Sequence, residues 1–222
     1  IAEYYAAKQY GVQVIGCPKT IDGDLKNAQI ETSFGFDTAC KTYSELIGNI
    51  ERDCNSARKY WHFMKLMGRS ASHIALECAL QTQPNICLIS EEIEAKEMSL
   101  DDIVTYIAEI VAKRAAKGNN FGTILVPEGL IEFVPAIKKL ISQLNDMLTD
   151  PATGEPREFA SAAEQIAFVK ENLTSENLAT LNSLPDDVAR QLCLDRDPHG
   201  NVQVSLIETE KLLSRMVAAK LK

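Results

Sequence analysis

Hydrophobic residues recur along the chain at two different spacings, and these spacings predict the order of the strands and helices. Short apolar runs predict four strands, at residues 12–15, 60–67, 86–89 and 122–127. Apolar residues spaced as on one helix face predict helices at residues 1–8, 36–55, 72–81, 99–117 and 133–148. Since strands and helices alternate over this part of the chain, we expect a parallel sheet with helices on both faces.

The alternation stops near residue 148. The segment TDPATGEPRE (149–158) is rich in turn residues and predicts a connector. Four segments with helical patterns follow it, and none of them resembles a strand: residues 161–173, 175–184, 186–194 and 204–222. We therefore predict an α/β domain at residues 1–150 and a mainly helical insertion or subdomain at residues 151–222.

Composition and charge narrow the classes of function. The chain has 222 residues, of which 45% are hydrophobic and 24% charged, as in ordinary globular proteins. Its net charge of −8 argues against broad binding to nucleic acid or to membrane surfaces, so an anionic ligand needs positive charge supplied locally. No apolar run approaches the ~20 residues that cross a membrane.

Cysteine and histidine usage favours an intracellular protein without a histidine–cysteine metal site. The six cysteines include no C-x-x-C pair, and His62, His73 and His199 lie far apart in the sequence. No signal peptide is visible, and the first residues read as a helix that leads into a strand. We expect reduced thiols, a cytoplasmic protein, and a chain that begins inside a fold.

Three polar motifs follow predicted strands. They are GCPKTIDGDLKN (16–27) after the first strand, MGR (67–69) after the second and PEG (127–129) after the fourth. In parallel α/β sheets, ligands gather at the carboxyl ends of the strands. Because no tripeptide of this kind is specific by itself, the shared position is the more informative signal.

The first motif has two interpretations. Asp22 could act as a general base, Asp24 could orient a metal ion, and Lys19 could bind phosphate. The alternative is an Asp-Gly turn with solvated side chains. Residue types alone leave both open.

The other two motifs have the same ambiguity. Arg69 precedes a predicted helix N-terminus, a place that favours an anion, and an arginine can grip phosphate with two hydrogen bonds. Glu128 lies in a tight turn where its carboxylate could accept hydrogen bonds from sugar hydroxyls. The alternatives are a surface arginine and an ordinary turn acid.

Several longer blocks together resemble the phosphofructokinase family, and most closely its pyrophosphate-dependent branch of the long type, which includes plant catalytic subunits. The blocks are PKTIDGDLKN, GFDTACK, KYWHFMKLMGRSASHIALECALQTQPN, ISEEI and ILVPEGLIE, in the family's order. IETEKLL also resembles a segment of the long-type insertion. The resemblance implies a phosphofructokinase-like α/β fold with parallel sheets flanked by helices and a helical C-terminal insertion.

The resemblance also implies roles for the first motif. Thr20, Ile21 and Asp22 match the family's T-I-D element, in which Asp22 would take the proton from the 1-hydroxyl of fructose 6-phosphate. Lys19 stands where ATP-dependent relatives usually carry glycine, and would bind the diphosphate as a second catalytic residue. Asp24 would lie near Mg²⁺, whose main ligand is expected outside this chain.

Substrate binding is implied for the remaining matches. Met67, Gly68 and Arg69 match the M-G-R element that holds the sugar phosphate, and Glu128 would bind sugar hydroxyls. Two further residues, Lys59 and Tyr60, would reach across a subunit interface to the partner's substrate, which implies a homo-oligomer.

The sequence departs from the family pattern in two ways. Gly23 replaces the asparagine of the commoner T-I-D-N-D form, which we expect to alter only the turn. The GGDD loop expected upstream and the YEGR element expected downstream are absent, so we expect a fragment that is inactive alone. The resemblance leaves two alternatives to a pyrophosphate-dependent enzyme: an ATP-dependent enzyme, against which Lys19 argues, and a non-catalytic regulatory subunit.

Overall fold

The computed structural model describes residues 1–150, 156–197 and 201–222. Its helices and strands are, in chain order, α1 (Ala2–Ala7), α2 (Phe36–Ala57), β1 (Tyr60–Leu66), α3 (His73–Thr82), β2 (Ile86–Cys87), α4 (Ser90–Ala95), α5 (Leu100–Ala115), β3 (Phe121–Pro127), α6 (Pro135–Leu148), α7 (Ala162–Asn172), α8 (Ser175–Ser183), α9 (Asp186–Leu194) and α10 (Thr209–Lys220). Two short 3₁₀ helices span Glu128–Phe133 and Val204–Leu206. Part of the predicted connector, residues 151–155, and His199 lie outside the described residues.

The three strands form one parallel sheet in the order β1-β3-β2, as the alternating pattern predicts. Leu66 of β1 pairs with Pro127 of β3, so the two strands end side by side. The strand β2 has only two residues, shorter than the predicted 86–89, and its Ile86 pairs with Ile124.

Both faces of the sheet are covered by helices, which confirms the predicted architecture. Successive side chains of β3 point to opposite faces, so Leu125 packs with α2 and α3 while Ile124 and Val126 pack on the other side. That second core also contains apolar residues of α5, α6 and the four C-terminal helices. The helices α7 to α10 therefore share one buried core with the sheet, and α10 contacts β1 directly.

The helix ends follow from local sequence. Ser99 caps α5 as predicted: its hydroxyl accepts from the amide of Asp102, whose carboxylate accepts from the amide of Ser99. Pro135 occupies the first turn of α6, where the missing N–H costs nothing. The four predicted C-terminal helical segments are all helical, although the last one begins at Thr209, after a 3₁₀ turn. None of the described helices is long and apolar enough to span a membrane.

The predicted strand at residues 12–15 is wrong. These residues have no regular structure, and Val12, Val14 and Ile15 are exposed, Ile15 by 83%. A single extended segment needs a neighbouring strand for its backbone hydrogen bonds, and nothing in the described part of the chain pairs with it. The motif at 16–27 consequently follows a loop, and only MGR and PEG lie at strand ends.

Candidate active site

Two of the polar motifs meet at the carboxyl edge of the sheet. Because Leu66 pairs with Pro127, the loops that follow β1 and β3 leave the sheet next to each other. The amide of Gly129 donates a hydrogen bond to the carbonyl oxygen of Gly68 over 3.1 Å. The backbone thus joins the M-G-R loop to the P-E-G loop directly.

Glycine is required on both sides of this junction, for different reasons. Gly68 has φ +128, a conformation that L side chains rarely adopt, and a Cβ there would lie 2.6 Å from the carbonyl oxygen of Ala71. At Gly129 a side chain is excluded by steric clash rather than by backbone conformation, because a Cβ would lie 1.9 Å from the carbonyl oxygen of Arg69. Glycine at 68 thus permits the tight turn of the M-G-R loop, and glycine at 129 permits the close approach of the P-E-G loop to it.

The T-I-D segment is anchored against α2 and α3. Ile21 packs into the core beneath these helices, and the hydroxyl of Thr20 accepts a hydrogen bond from the amide of Asp22 over 3.1 Å. Gly23 is buried with φ +76, and a Cβ there would lie 3.0 Å from the ring of Phe36. Glycine and asparagine are the residues that tolerate this left-handed conformation best, which explains why glycine can replace the asparagine of the commoner motif.

The charges of the three motifs act on one another. Burial raises the pKa of Glu128, and the nearby carboxylates of Asp22 and Glu132 act in the same direction. The ammonium of Lys65 and the guanidinium of Arg69 oppose this rise in pKa. The structure therefore brings Asp22, Arg69 and Glu128 into one electrostatic environment, which contains three carboxylates and two cations.

Tyr43 of α2 lies among the same residues, and it was not predicted as a site residue. Burial raises the pKa of its phenol, a hydrogen bond with the backbone of Met67 lowers it, and the carboxylates of Glu128 and Asp22 raise it. Its ring packs in the core beneath α2 and α3. Met67 itself is 47% exposed and open to solvent.

Arg69 is held by a second residue that sequence reasoning did not predict. Its Nε donates to Oε1 of Glu132 over 3.1 Å, and both side chains are partly exposed. The only sequence signal for Glu132 is its position one helical turn after Glu128 in PEGLIE. Lys65 had a comparable signal, because it is the one lysine in the apolar strand YWHFMKL.

The loop after Arg69 is fixed by a carboxylate from α4. Oε1 of Glu91 accepts from the amide of Ser72 at the start of α3 over 2.9 Å, and the hydroxyl of Ser72 accepts from the amide of Ser90 over 2.9 Å. Burial would raise the pKa of Glu91, but hydrogen bonds with Ser72 and with its own backbone outweigh that effect and lower it. An acidic side chain therefore already lies at the helix N-terminus that the sequence suggested for an anion.

Four predicted site residues lie apart from this cluster. Lys19 and Asp24 are exposed, and neither makes a hydrogen bond or ion pair with any residue that the structure describes. Lys59 and Tyr60 lie at the opposite end of β1, about 20 Å from Leu66 at the strand's rise of about 3.3 Å per residue. Tyr60 is 71% exposed and has φ +69.

The acidic residues permit a magnesium ion without forming a complete cage for one. Within residues 1–150, 156–197 and 201–222, no group of three or more histidine, cysteine, aspartate or glutamate side chains could hold a metal. Mg²⁺ is usually held by one or two carboxylates together with substrate phosphates and water. The exposed Asp24 fits such a partial site.

A parallel α/β sheet with carboxylates and cations at its strand ends places these charges at the edge where ligands bind in this class of fold. The chain belongs to the phosphofructokinase family, whose model, described as "Phosphofructokinase", matches residues 1–167.

Curated relatives match over the whole chain. The chain is 66% identical over 221 residues to the pyrophosphate–fructose 6-phosphate 1-phosphotransferase of Porphyromonas gingivalis, covering 100% of this chain and 40% of that protein. It is 52% identical to the beta subunit of the Ricinus communis protein of the same name, covering 100% of this chain and 38% of that one. The chain thus spans about two fifths of the length of these relatives.

A solved structure of Pichia pastoris phosphofructokinase is also similar. The likeness has a TM-score of 0.39 and 20% identity, and it covers 57% of this chain and 14% of that one.

Proposed function

We propose that the full-length protein transfers a phosphoryl group from pyrophosphate to the 1-hydroxyl of fructose 6-phosphate. The reaction gives fructose 1,6-bisphosphate and phosphate, and it runs in both directions. The observation that carries this proposal is the hydrogen bond between Gly129 and Gly68, which joins the loops of Glu128 and Arg69 at the carboxyl edge of the sheet, with Asp22 adding to the charge that acts on Glu128. The names of the similar proteins support the same substrates.

Each residue of the cluster has a role that suits its chemistry. Asp22 accepts the proton of the attacking hydroxyl, and Arg69, with Met67 and Gly68, holds the sugar phosphate. The carboxylate of Glu128 accepts hydrogen bonds from sugar hydroxyls. Thr20 and Ile21 hold Asp22 in place through the turn hydrogen bond and the core contact already described.

The residues proposed to bind the phosphoryl donor are exposed in this chain. Lys19 binds the diphosphate as a point charge, and its exposed side chain is free to do so. Mg²⁺, when bound, neutralises charge on the transferred phosphate, with Asp24 as one ligand on the protein side. Phosphoryl transfer depends mainly on positioning the reactants and on neutralising charge. These residue roles therefore require no covalent intermediate on the protein.

We further propose a homo-oligomer in the cytoplasm. Lys59 and Tyr60 are exposed and distant from the cluster of their own chain, which suits a contribution to the site of a second subunit. The net charge of −8 argues against nucleic acid or membrane surfaces as partners.

The choice of donor is tested on the full-length protein with pyrophosphate or ATP. We expect turnover with pyrophosphate; strong ATP use without pyrophosphate activity would instead identify an ATP-dependent enzyme. Lys19→Gly should reduce pyrophosphate use far more than it weakens binding of fructose 6-phosphate. Equal loss of both would contradict the role of Lys19. The 222-residue chain alone should be inactive, because it spans about two fifths of its relatives.

A further inference from the structure

We propose that Lys65 is a positioning residue for the carboxylate of Glu128, and that the segment 205–210 holds Lys65 in this role. The inference deepens the proposed function, because it concerns the residue that binds the sugar. It gives the C-terminal helical region a part in substrate binding in addition to its contribution to the core.

The position of Lys65 in the sheet is unusual for a lysine. Trp61 and Phe63, which share its face of β1, pack against the core that α10 helps to cover, whereas Met64 and Leu66 pack on the other face. The ammonium of a lysine on a covered face must either stay hydrated or form hydrogen bonds and ion pairs with protein groups. The side chain of Lys65 is only 29% exposed.

The partners of Lys65 come from the C-terminal region. Its Nζ donates to the carbonyl oxygen of Ser205 over 3.3 Å and lies 4.0 Å from Oε2 of Glu210. That carboxylate oxygen is buried and has no hydrogen-bond partner in the described part of the chain. Glu210 therefore depends on the charge of Lys65, and the two groups hold each other between β1 and α10.

Lys65 of β1 pairs with Val126 of β3, and Glu128 lies two positions after Val126, so both residues lie near the same two strand ends. Among the charged groups that act on Glu128, Lys65 has the largest effect, and the others are Asp22, Arg69 and Glu132. The phenol of Tyr43, from α2, also faces Glu128.

The backbone around these groups connects the two regions as well. The 3₁₀ helix that begins at Glu128 packs against the 3₁₀ helix Val204–Leu206 and against α10. The ammonium of Lys65, which lies beside Glu210 and bonds the Val204–Leu206 helix through Ser205, is therefore held next to the segment that begins at Glu128. Displacement of α10 would change both the position of Lys65 and the charge that Glu128 experiences.

The test uses four variants of the full-length protein. Lys65→Met removes the charge at similar length, Lys65→Arg keeps the charge, and Glu210→Gln removes the competing carboxylate. Lys113→Met is the control, because Lys113 forms a similar ion pair with Glu109 on the exposed side of α5. For each variant, kcat and the KM for fructose 6-phosphate are measured as a function of pH.

We expect Lys65→Met and Glu210→Gln to shift the pH dependence of kcat/KM in opposite directions. Lys65→Met should raise the KM about two- to fivefold with little change in kcat, and should move the acidic limb of kcat/KM to higher pH. Glu210→Gln should move that limb to lower pH, Lys65→Arg should resemble the unmodified protein, and the control should change nothing. A limb that stays in place in both variants, or that moves the same way in both, would overturn the proposal.

A second readout separates this proposal from the proposed function. Titration of the Glu128 carboxyl carbon by ¹³C NMR, assigned with Glu128→Gln, follows the same carboxylate without any turnover. If turnover with pyrophosphate is absent but Lys65→Met still raises the titration midpoint of Glu128, the proposed function fails and the role of Lys65 stands. A midpoint that is identical with and without Lys65 refutes the role of Lys65 whatever the enzyme does.

Discussion

The amide of Gly129 and the carbonyl oxygen of Gly68 form a 3.1 Å hydrogen bond that joins the ends of two adjacent strands. This bond ties the loop that carries Arg69 to the turn that carries Glu128. The helix α4 supports both loops, the first through Glu91 and the second by packing against the 3₁₀ helix that begins at Glu128, which also packs against the C-terminal region. The relative position of Arg69 and Glu128, the two proposed substrate-binding groups, therefore depends on the close backbone approach at Gly129.

Replacing Gly129 with alanine should disrupt this junction. The new Cβ would lie 1.9 Å from the carbonyl oxygen and 2.7 Å from the carbonyl carbon of Arg69, so the backbone itself must move. Overpacking of this kind typically costs about 1–3 kcal/mol. We expect a lower melting temperature and a raised KM for fructose 6-phosphate in the full-length protein.

Gly48→Ala is the matched control for that substitution. Gly48 lies inside α2, and nothing lies within 4 Å of the place where its Cβ would be. Alanine there should stabilise the helix by roughly 0.5–1 kcal/mol, without an effect on the KM. If Gly129→Ala were as harmless as Gly48→Ala, the close approach of the two loops would not be needed for binding.

Asp22→Asn tests the proposed base. Asparagine keeps the size of the side chain but cannot accept the proton of the sugar hydroxyl, so kcat should fall about 10²- to 10⁴-fold. The KM for fructose 6-phosphate should change little, because Arg69 and Glu128 remain. Asp37→Asn, at an exposed i,i+4 pair with Lys41, should leave kcat unchanged. Near-normal turnover of Asp22→Asn would exclude Asp22 as the base.

The sequence was sufficient for every described α-helix except α4, for the parallel sheet and for two of the three motif positions. Periodicity reports which side of an element is buried, and it correctly indicated α2 and β1. The segment 12–15 has the apolar pattern of a strand, but a strand exists only where another strand accepts its hydrogen bonds, and local pattern does not reveal that partner. The placement of the first motif was wrong for this reason.

The ion pairs of the site could not be predicted from local sequence patterns. Arg69 meets Glu132 across 63 positions of sequence, and Lys65 lies next to the carbonyl of Ser205 across 140 positions. Such pairs arise only when the sheet sets neighbouring strands and loops in register. The individual residue types suggested phosphate chemistry, but the sharing of charge among them is a property of the folded chain.

Arg69→Lys should separate the two functions of that arginine. In the structure, Nε of Arg69 bonds Glu132, which leaves the terminal nitrogens of the same planar group available for a phosphate. A lysine has one ammonium group, which cannot serve both partners with this geometry. We expect the KM for fructose 6-phosphate to rise about tenfold with a smaller change in kcat, since one charge-assisted hydrogen bond contributes roughly 1.5–3 kcal/mol.

The Glu132→Gln variant is the companion to Arg69→Lys. Glutamine keeps a hydrogen-bond acceptor for Nε but removes the negative charge near the phosphate position. The KM should therefore stay level or fall. A rise as large as that of Arg69→Lys would show that the charge of Glu132, rather than the shape of the pair, holds Arg69 in place.

Far from the site, Glu51 of α2 carries a carboxylate without a nearby cation partner among the described ion pairs. Its Oε1 accepts a hydrogen bond from the hydroxyl of Thr123 over 3.2 Å, and the side chain is half-buried between α2 and β3. Burial raises the pKa of Glu51, and the hydrogen bond from Thr123 opposes that rise only in part.

Glu51→Gln should stabilise the protein at neutral pH. Because the pKa of Glu51 is higher in the folded than in the unfolded chain, the folded state binds more protons above the ordinary value of 4.5, and stability falls as pH rises through the folded pKa. Glutamine keeps the acceptor for Thr123 and removes the buried charge. The melting temperature of the variant should exceed that of the unmodified protein at pH 7 and approach it below pH 4.5, whereas Glu109→Gln, at an exposed pair with Lys113, should show no such convergence. If the melting temperature of Glu51→Gln exceeds that of the unmodified protein by the same amount at pH 7 and below pH 4.5, packing and not the charge of Glu51 accounts for the difference.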